Sequence, residues 1–385
     1  MTEYEHSAEL QSLRDRLDRI DRELVERAAE RQRIVSEIGR IKQSGGRQLR
    51  DFRREREVLD GVREHARSFG LDPEVAERLL TTLIEASLTR QEGERVALAA
   101  RGAGRRALVI GGAGRLGRWM ARFLSGQGFD TRIADPQLDD DGDVRYADWR
   151  DAPLDVDVIV VAAPIEISRA ILSELAEKRV PGLVFDVASV KAPLVETLTA
   201  AADAGLSVCS VHPMFGPDTR LLAGRHVLLM DCGNAEAVSL ARALFDDTMA
   251  ELVDIELGDH DRLMAWVLGL SHALNVAFGA ALAESGADAA ELAAISSTTF
   301  HRQLAIASDV GGENPALYFE IQHLNPFESR VLSALTEATE RLRSAVEAGD
   351  REAFVHLMQR GANWTRAHGD ARRATASSDK DGVSS

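Results

Sequence analysis

Three glycines and an acid carry the first chemical signal. Gly112, Gly114 and Gly117 stand in G-x-G-x-x-G spacing, with an apolar run at 107–110 before them and a helical pattern at 118–124 after them. A second strand pattern at 130–134 ends at Asp135, 18 residues after Gly117. One glycine makes a tight turn, one lets the backbone approach a pyrophosphate, and one lets helix and strand pack closely. The helix N-terminus supplies an anion site. Asp135 then becomes the carboxylate that binds a ribose hydroxyl, and an acid at this position favours NAD over NADP. The cofactor-binding candidates are Gly112, Gly114, Arg115, Leu116, Gly117 and Asp135, with Ala163 and Pro164 after a third strand run.

The elements that must position these residues can be read from the same region. Runs 157–162 (DVIVVA) and 182–187 (GLVFDV) are continuously apolar, as in strands covered on both faces. Helical patterns at 165–178 and 194–204 alternate with them, which predicts a doubly wound parallel α/β (Rossmann) domain. In such a sheet, ligands bind beyond the C-terminal ends of the strands. Ala163-Pro164, the segment 188–191 (ASVK) and the segment 211–218 (VHPMFGPD) all fall there. His212 closes the strand run SVCSV, where a hydride-transfer enzyme needs a proton acceptor with a pKa near neutrality. A buried, hydrogen-bonded structural histidine is the plain alternative. Ser189 is the hydroxyl that could orient a substrate hydroxyl or His212.

A long segment precedes this domain. Leu10, Leu13, Leu17, Ile20, Leu24, Ala28, Ile34, Ile38 and Ile41 trace one helical face across 7–42, closed by Gly45 and Gly46. Helical segments at 51–68 and 73–98 follow. One overlong helix with two short neighbours suggests an interlocked dimer. Arg31 and Lys42 lie 11 residues apart and share a face, whereas Arg14, 17 residues before Arg31, lies on another side. Ser87 and Gln91 project together as an i, i+4 pair. Composition alone would make these charges a solvated face.

The first 95 or so residues resemble the all-helical type of chorismate mutase. The matching positions are Arg14 in L-R-D, Arg31, Lys42, Asp51, Arg54 and Glu55 in D-F-R-R-E, and Ser87 with Gln91. The resemblance implies that Arg14 enters the partner protomer's site. It also implies that Arg14, Arg31 and Arg54 hold the carboxylates of chorismate as bidentate forks. Lys42 and Gln91 would donate to the ether oxygen where charge develops, Glu55 would accept from the ring hydroxyl, and Asp51 and Ser87 would complete the binding set. From residue 105 to 370, D-x-A-S-V-K and H-P-M-F-G-P-D resemble the prephenate dehydrogenase family. Beyond 254 the pattern is wholly helical, the usual dimerisation half of that group. It carries His260 in H-D-R-L-M-A, His272 in S-H-A-L-N and Arg302 in F-H-R-Q-L-A. The family match makes Arg302 the anchor of a prephenate carboxylate and His272 a pocket residue; the role of His260 stays open.

Together the two halves resemble, in this order, the bifunctional chorismate mutase/prephenate dehydrogenases. The expected domains are 1–98 (mutase), 105–256 (NAD-binding), 257–370 (helical dimerisation and substrate domain) and a disordered tail at 371–385. The resemblance implies chorismate and prephenate as substrates, NAD as cofactor, a homodimer, and tyrosine as a feedback inhibitor, although no appended regulatory domain is visible. An arogenate dehydrogenase is the nearest rival, since Arg302 would serve either substrate. A 3-hydroxyacid or 6-phosphogluconate-type dehydrogenase would need a lysine in the helical half, and 254–370 has none. A non-catalytic NAD-binding regulator that only dimerises through its N-terminal helices would not require the set of cations there.

Composition agrees with this reading. The chain has 385 residues, 45% hydrophobic and 28% charged, as in soluble globular proteins of two or three domains. Lys plus Arg number 46 against 62 Asp plus Glu, a net charge of −16 that argues against nucleic acid. Cys209 and Cys232 imply neither a disulfide framework nor a metal centre and fit a cytoplasmic setting. No signal peptide and no long apolar run suggest a membrane.

Overall fold

The computed structural model describes residues 3–44, 52–137 and 145–378, which fall into two compact units. Met1–Ala188 with Pro193–Leu257 form the first, and Ser189–Ala192 with Gly258–Ser385 form the second.

The first unit opens with helices α1 (Glu3–Ser44), α2 (Phe52–Ser68) and α3 (Pro73–Ala99). Asp72 caps α3 by accepting the N–H of Glu74, and Pro73 fills the first helical position, where no N–H is needed. α3 packs against both α2 and the later part of α1, where Ser36 and Gly39 are buried. The earlier part of α1 leaves Leu10, Leu13, Leu17, Ile20 and Leu24 exposed, between 44% and 57%. Asp51 lies outside the described residues.

The α/β part runs β1 (Arg106–Ile110), α4 (Arg115–Gly126), β2 (Asp130–Ala134), β3 (Arg145–Tyr146), β4 (Val158–Val161), α5 (Ile165–Glu177), β5 (Leu183–Asp186), α6 (Val195–Asp203), β6 (Val208–Pro213), β7 (His226–Asp231), α7 (Ala235–Phe245) and β8 (Glu251–Asp254). The sheet order is β3-β2-β1-β4-β5-β6-β7-β8, a dinucleotide-binding order extended at one edge. The expected parallel sheet runs from β3 to β6, and β7 then enters antiparallel to β6, with His212 opposite Leu228. The connection from β6 to β7 contains Gly216, Pro217 and Gly224 and no helix, so it cannot make the crossover that a parallel return requires. Leu108, Met120, Leu124, Ile159, Phe185 and Val211 are fully buried and form the centre of this layer.

The second unit is helical: α8 (Leu257–Met264), a π-helical turn (Ala265–Gly269), α9 (Leu270–Glu284), α10 (Ala289–Ala294), α11 (Thr298–Gly311), α12 (Pro315–His323), α13 (Glu328–Glu347) and α14 (Arg351–Ser378). Asp288, Ser297 and Asn314 cap α10, α11 and α12 through their side chains. α14 continues to Ser378 and so takes in the first part of the expected tail, whose remainder, 379–385, lies outside the described residues. The reason lies in the alanines and arginines of ARRATA, which are good helix formers despite their small, polar look. Contrary to the sequence reading, Leu257–Glu284 is long and apolar enough, by length and composition, to cross a membrane. Its apolarity comes largely from leucine, alanine and valine around His272 and Asn275, and Trp266, Val267 and Val276 stand exposed on it.

Candidate active sites

The α1–α3 contact assembles part of the expected binding set. Arg31 Nη1 lies 3.4 Å from both the Leu83 carbonyl and Ser87 Oγ, and burial pulls its guanidinium pKa down. Ser87 Oγ is 2.7 Å from Gln32 Oε1 and 2.7 Å from the Leu83 carbonyl. One turn further on, Gln91 Nε2 donates to the Val35 carbonyl at 2.9 Å. Ser87 and Gln91 are 3% and 8% exposed, so their polar groups are fixed before any ligand arrives. Gly39 makes room for that amide, because a Cβ there would sit 2.9 Å from Gln91 Nε2.

The other expected members are spread out. Lys42 is half-buried near the end of α1, and Glu55 is half-buried in the first turn of α2. Arg54 is exposed and pairs with Glu57 at 3.3 Å. Arg14 is exposed and lies roughly 25 Å along α1 from Arg31, so a single chain does not bring it to the cluster. Gln32, which holds Ser87, was not singled out by sequence, although it adjoins Arg31.

In the sheet, the glycine loop has the close approaches that its spacing demands. A Cβ on Gly117 would meet the Gly111 carbonyl at 2.1 Å, and one on Gly112 would meet Ile133 Cγ2 at 2.3 Å. Gly114 caps α4 with no side-chain hydrogen bond, leaving the helix N-terminus open to an anion. Asp135 Oδ2 accepts the Ala113 N–H at 3.0 Å and Oδ1 accepts the Gln137 N–H at 2.8 Å, which fixes the acid beside the loop. These residues fit a dinucleotide. Leu116 is half-buried against the sheet core. Ala163 and Pro164 precede α5, with the Ala163 carbonyl accepting Ser168 Oγ at 3.0 Å.

His212 is 4% exposed on β6. The loop that follows it is tied to α4 twice: Trp119 Nε1 donates to the Thr219 carbonyl at 2.8 Å, and Arg115 Nη2 pairs with Asp218 at 2.6 Å. Arg115 thus links the cofactor loop to the H-P-M-F-G-P-D stretch. Asp186, missed by sequence reasoning, is fully buried at the end of β5 and accepts Ser210 Oγ at 2.6 Å and the Ala188 N–H at 3.0 Å.

In the helical unit, His272 lies half-buried with its ring centroid 4.3 Å from that of Tyr318, and burial lowers its pKa. Arg302 is exposed on α11. Its neighbour Gln303 donates to Asn275 Oδ1 at 2.8 Å, and Asn275 donates to the Ser271 carbonyl at 2.8 Å, so α9 and α11 are pinned beside it. Ser189 is half-buried in the short segment that belongs to this unit.

Three family models match in sequence order. Chorismate mutase type II covers residues 13–92, the prephenate dehydrogenase nucleotide-binding domain covers 136–254, and the prephenate dehydrogenase dimerization domain covers 257–360. A T-protein of Enterobacter agglomerans is 27% identical over 364 residues, 94% of each chain. A 4-amino-4-deoxyprephenate dehydrogenase of Streptomyces pristinaespiralis is 32% identical over 267 residues, 66% of this chain and 88% of that protein. The crystal structure of prephenate dehydrogenase from A. aeolicus, in complex with hydroxyphenyl propionate and NAD+, shares the fold with a TM-score of 0.54 at 17% identity, over 69% of this chain and 98% of that one. With the mutase model on its first helices and the two prephenate dehydrogenase models following in order, the chain belongs to the family of bifunctional chorismate mutase/prephenate dehydrogenases.

Proposed function

We propose that the chain rearranges chorismate to prephenate on its N-terminal helices and then oxidatively decarboxylates prephenate to 4-hydroxyphenylpyruvate with NAD, two steps toward tyrosine. The observation that carries this reading is the presence, in one chain, of the Arg31–Ser87–Gln91 cluster and the glycine-loop sheet bearing His212.

The first reaction is pericyclic and needs no nucleophile. Arg31 and Arg54, with Arg14 from a second copy, hold the carboxylates, so that part of the rate comes from orientation. Lys42 and Gln91 donate to the ether oxygen as negative charge develops on it, while Glu55 accepts from the ring hydroxyl and Asp51 and Ser87 complete the set. For the second reaction, Gly112, Gly114, Arg115, Leu116, Gly117, Asp135, Ala163 and Pro164 would hold NAD, which would supply the hydride acceptor. His212 takes the proton of the 4-hydroxyl, and Ser189 orients that hydroxyl. Arg302 pairs with a carboxylate of prephenate, and His272, whose pKa burial lowers, lines the pocket. Carbon dioxide leaves because its loss restores aromaticity.

A homodimer is part of the proposal, supported by the exposed apolar stripe of α1 and the exposed apolar residues of α9. A cytoplasmic setting is supported by Cys209 and Cys232, which are buried thiols. Tyrosine is the proposed feedback ligand, to be tested as an inhibitor of both activities. Incubation with chorismate and NAD should produce NADH without added prephenate; absence of NADH, with activity on prephenate retained, would remove the mutase assignment. The S. pristinaespiralis relative favours a second reading, in which an amino-bearing analogue is oxidised. Rates with prephenate, arogenate and 4-amino-4-deoxyprephenate separate the readings.

A further inference from the structure

The helical unit holds a buried acid–histidine pair that the proposed reaction leaves without a role. His260 and Asp261 are adjacent in α8 and are 0% and 4% exposed. Asp261 Oδ1 lies 2.7 Å from His260 Nδ1 and accepts the Lys191 N–H at 2.8 Å. Its Oδ2 accepts the Ala192 N–H at 2.6 Å. The Asp261 backbone carbonyl in turn accepts Asn325 Nδ2 at 2.9 Å, which ties α8 to the turn before α13.

One carboxylate gripping two successive amides fixes both peptide planes, and its charge strengthens each bond. Those planes begin two residues after Ser189, in the Ser189–Ala192 segment that belongs to the helical unit. Lys191 is fully buried, so loss of its acceptor would strand that N–H away from water. A purely structural clasp could have used any acceptor; here the acid also has its rotamer set by a histidine with no exposure at all.

We propose that Asp261, held by His260, is a positioning residue for Ser189: its grip on Lys191 and Ala192 fixes the turn that presents the Ser189 hydroxyl to the substrate. The proposal rests on the reading of Ser189 as the group that orients the substrate 4-hydroxyl. In Asp261→Asn, an amide NH2 must face one of the two N–H groups, so the turn loosens while its composition stays the same.

Asp261→Asn in the full chain should lower dehydrogenase kcat by roughly a hundredfold, as a misplacement of about 1 Å does, with KM for prephenate nearly unchanged. Mutase turnover should stay at the wild-type rate. On a Ser189→Ala background, Asp261→Asn should cost nothing further. Full additivity, or a rise in KM in place of the fall in kcat, would overturn the proposal and leave the Ser189 assignment standing. An unchanged kcat in Ser189→Ala alone would overturn that assignment and the proposal with it. If Asp261→Asn does not fold, hydrogen exchange on the wild-type protein decides. The Lys191 and Ala192 amides should exchange far more slowly than those of the exposed turn between α10 and α11, and equal rates would overturn the proposal.

Discussion

Glu92 accepts the backbone N–H of Leu222 at 2.8 Å, so α3 of the mutase segment is bonded to the loop that follows His212. The other oxygen of the same carboxylate accepts the Met249 N–H. Glu92 is 5% exposed, and burial raises its pKa against the lowering effect of the two amides. Arg95 and Arg101, which also pair with Asp247, reinforce the junction. Glu92→Gln replaces one acceptor by a donor facing an N–H, and should cost about 1–3 kcal/mol in chemical denaturation. A variant as stable as wild type would show that the junction adds nothing to the fold.

His212→Asn should lower dehydrogenase turnover by roughly a hundredfold or more, the usual worth of a general base, while chorismate conversion stays intact. The converse is Lys42→Ala, which should lower mutase turnover by about a hundredfold, as loss of one donor to a developing oxyanion does, and leave prephenate oxidation untouched. Steady-state assays of both reactions on each variant check the pair. A fall in both activities for either variant would contradict the separation of the two sites.

Arg302→Ala should raise KM for prephenate by about tenfold or more with little change in kcat, because a carboxylate pair made equally in ground and transition states affects binding alone. An unchanged KM would move the carboxylate anchor to another residue.

Glu328 gives the stability a pH dependence with a definite sign. Its carboxyl is 2% exposed, and neither oxygen has a hydrogen-bond partner among the described residues. It lies against Gly269 of the π-helical turn, where a Cβ would meet Oε2 at 2.0 Å. Burial raises its pKa from 4.5 to about 7. The folded state therefore holds a proton that the unfolded chain releases between those values. The contribution is complete below pH 4.5 and is lost as pH rises through about 7. Thermal unfolding of the wild type should lose stability from pH 5 to 8, by a few kcal/mol, and Glu328→Gln should flatten that slope. Parallel slopes in the two proteins would refute the assignment.

The glycine loop was legible because its chemistry is local: Gly112, Gly117 and Asp135 are related through adjacent elements whose types are fixed by spacing. Arg31, Ser87 and Gln91 were legible through helical periodicity together with family resemblance. Asp261 was not, since its partners are backbone amides 69 and 70 residues away, and a backbone N–H leaves no residue-type signal. Glu92 escaped for the same reason, because Leu222 and Met249 offer it only their amides. The antiparallel entry of β7 was hidden in the length and content of a loop, and the helical course of 371–378 in a stretch whose composition resembles a linker.

Gly39 makes the Gln91 carboxamide adjustable from outside the reacting set. A single methyl at that position, in Gly39→Ala, would press on the far end of a flexible side chain and displace the amide by a few tenths of an ångström. Mutase turnover should fall while prephenate oxidation, measured separately, keeps its rate. Supply and consumption of the shared intermediate are thereby open to separate tuning, with flux through the chain throttled at its entrance by one backbone position outside the proposed binding set.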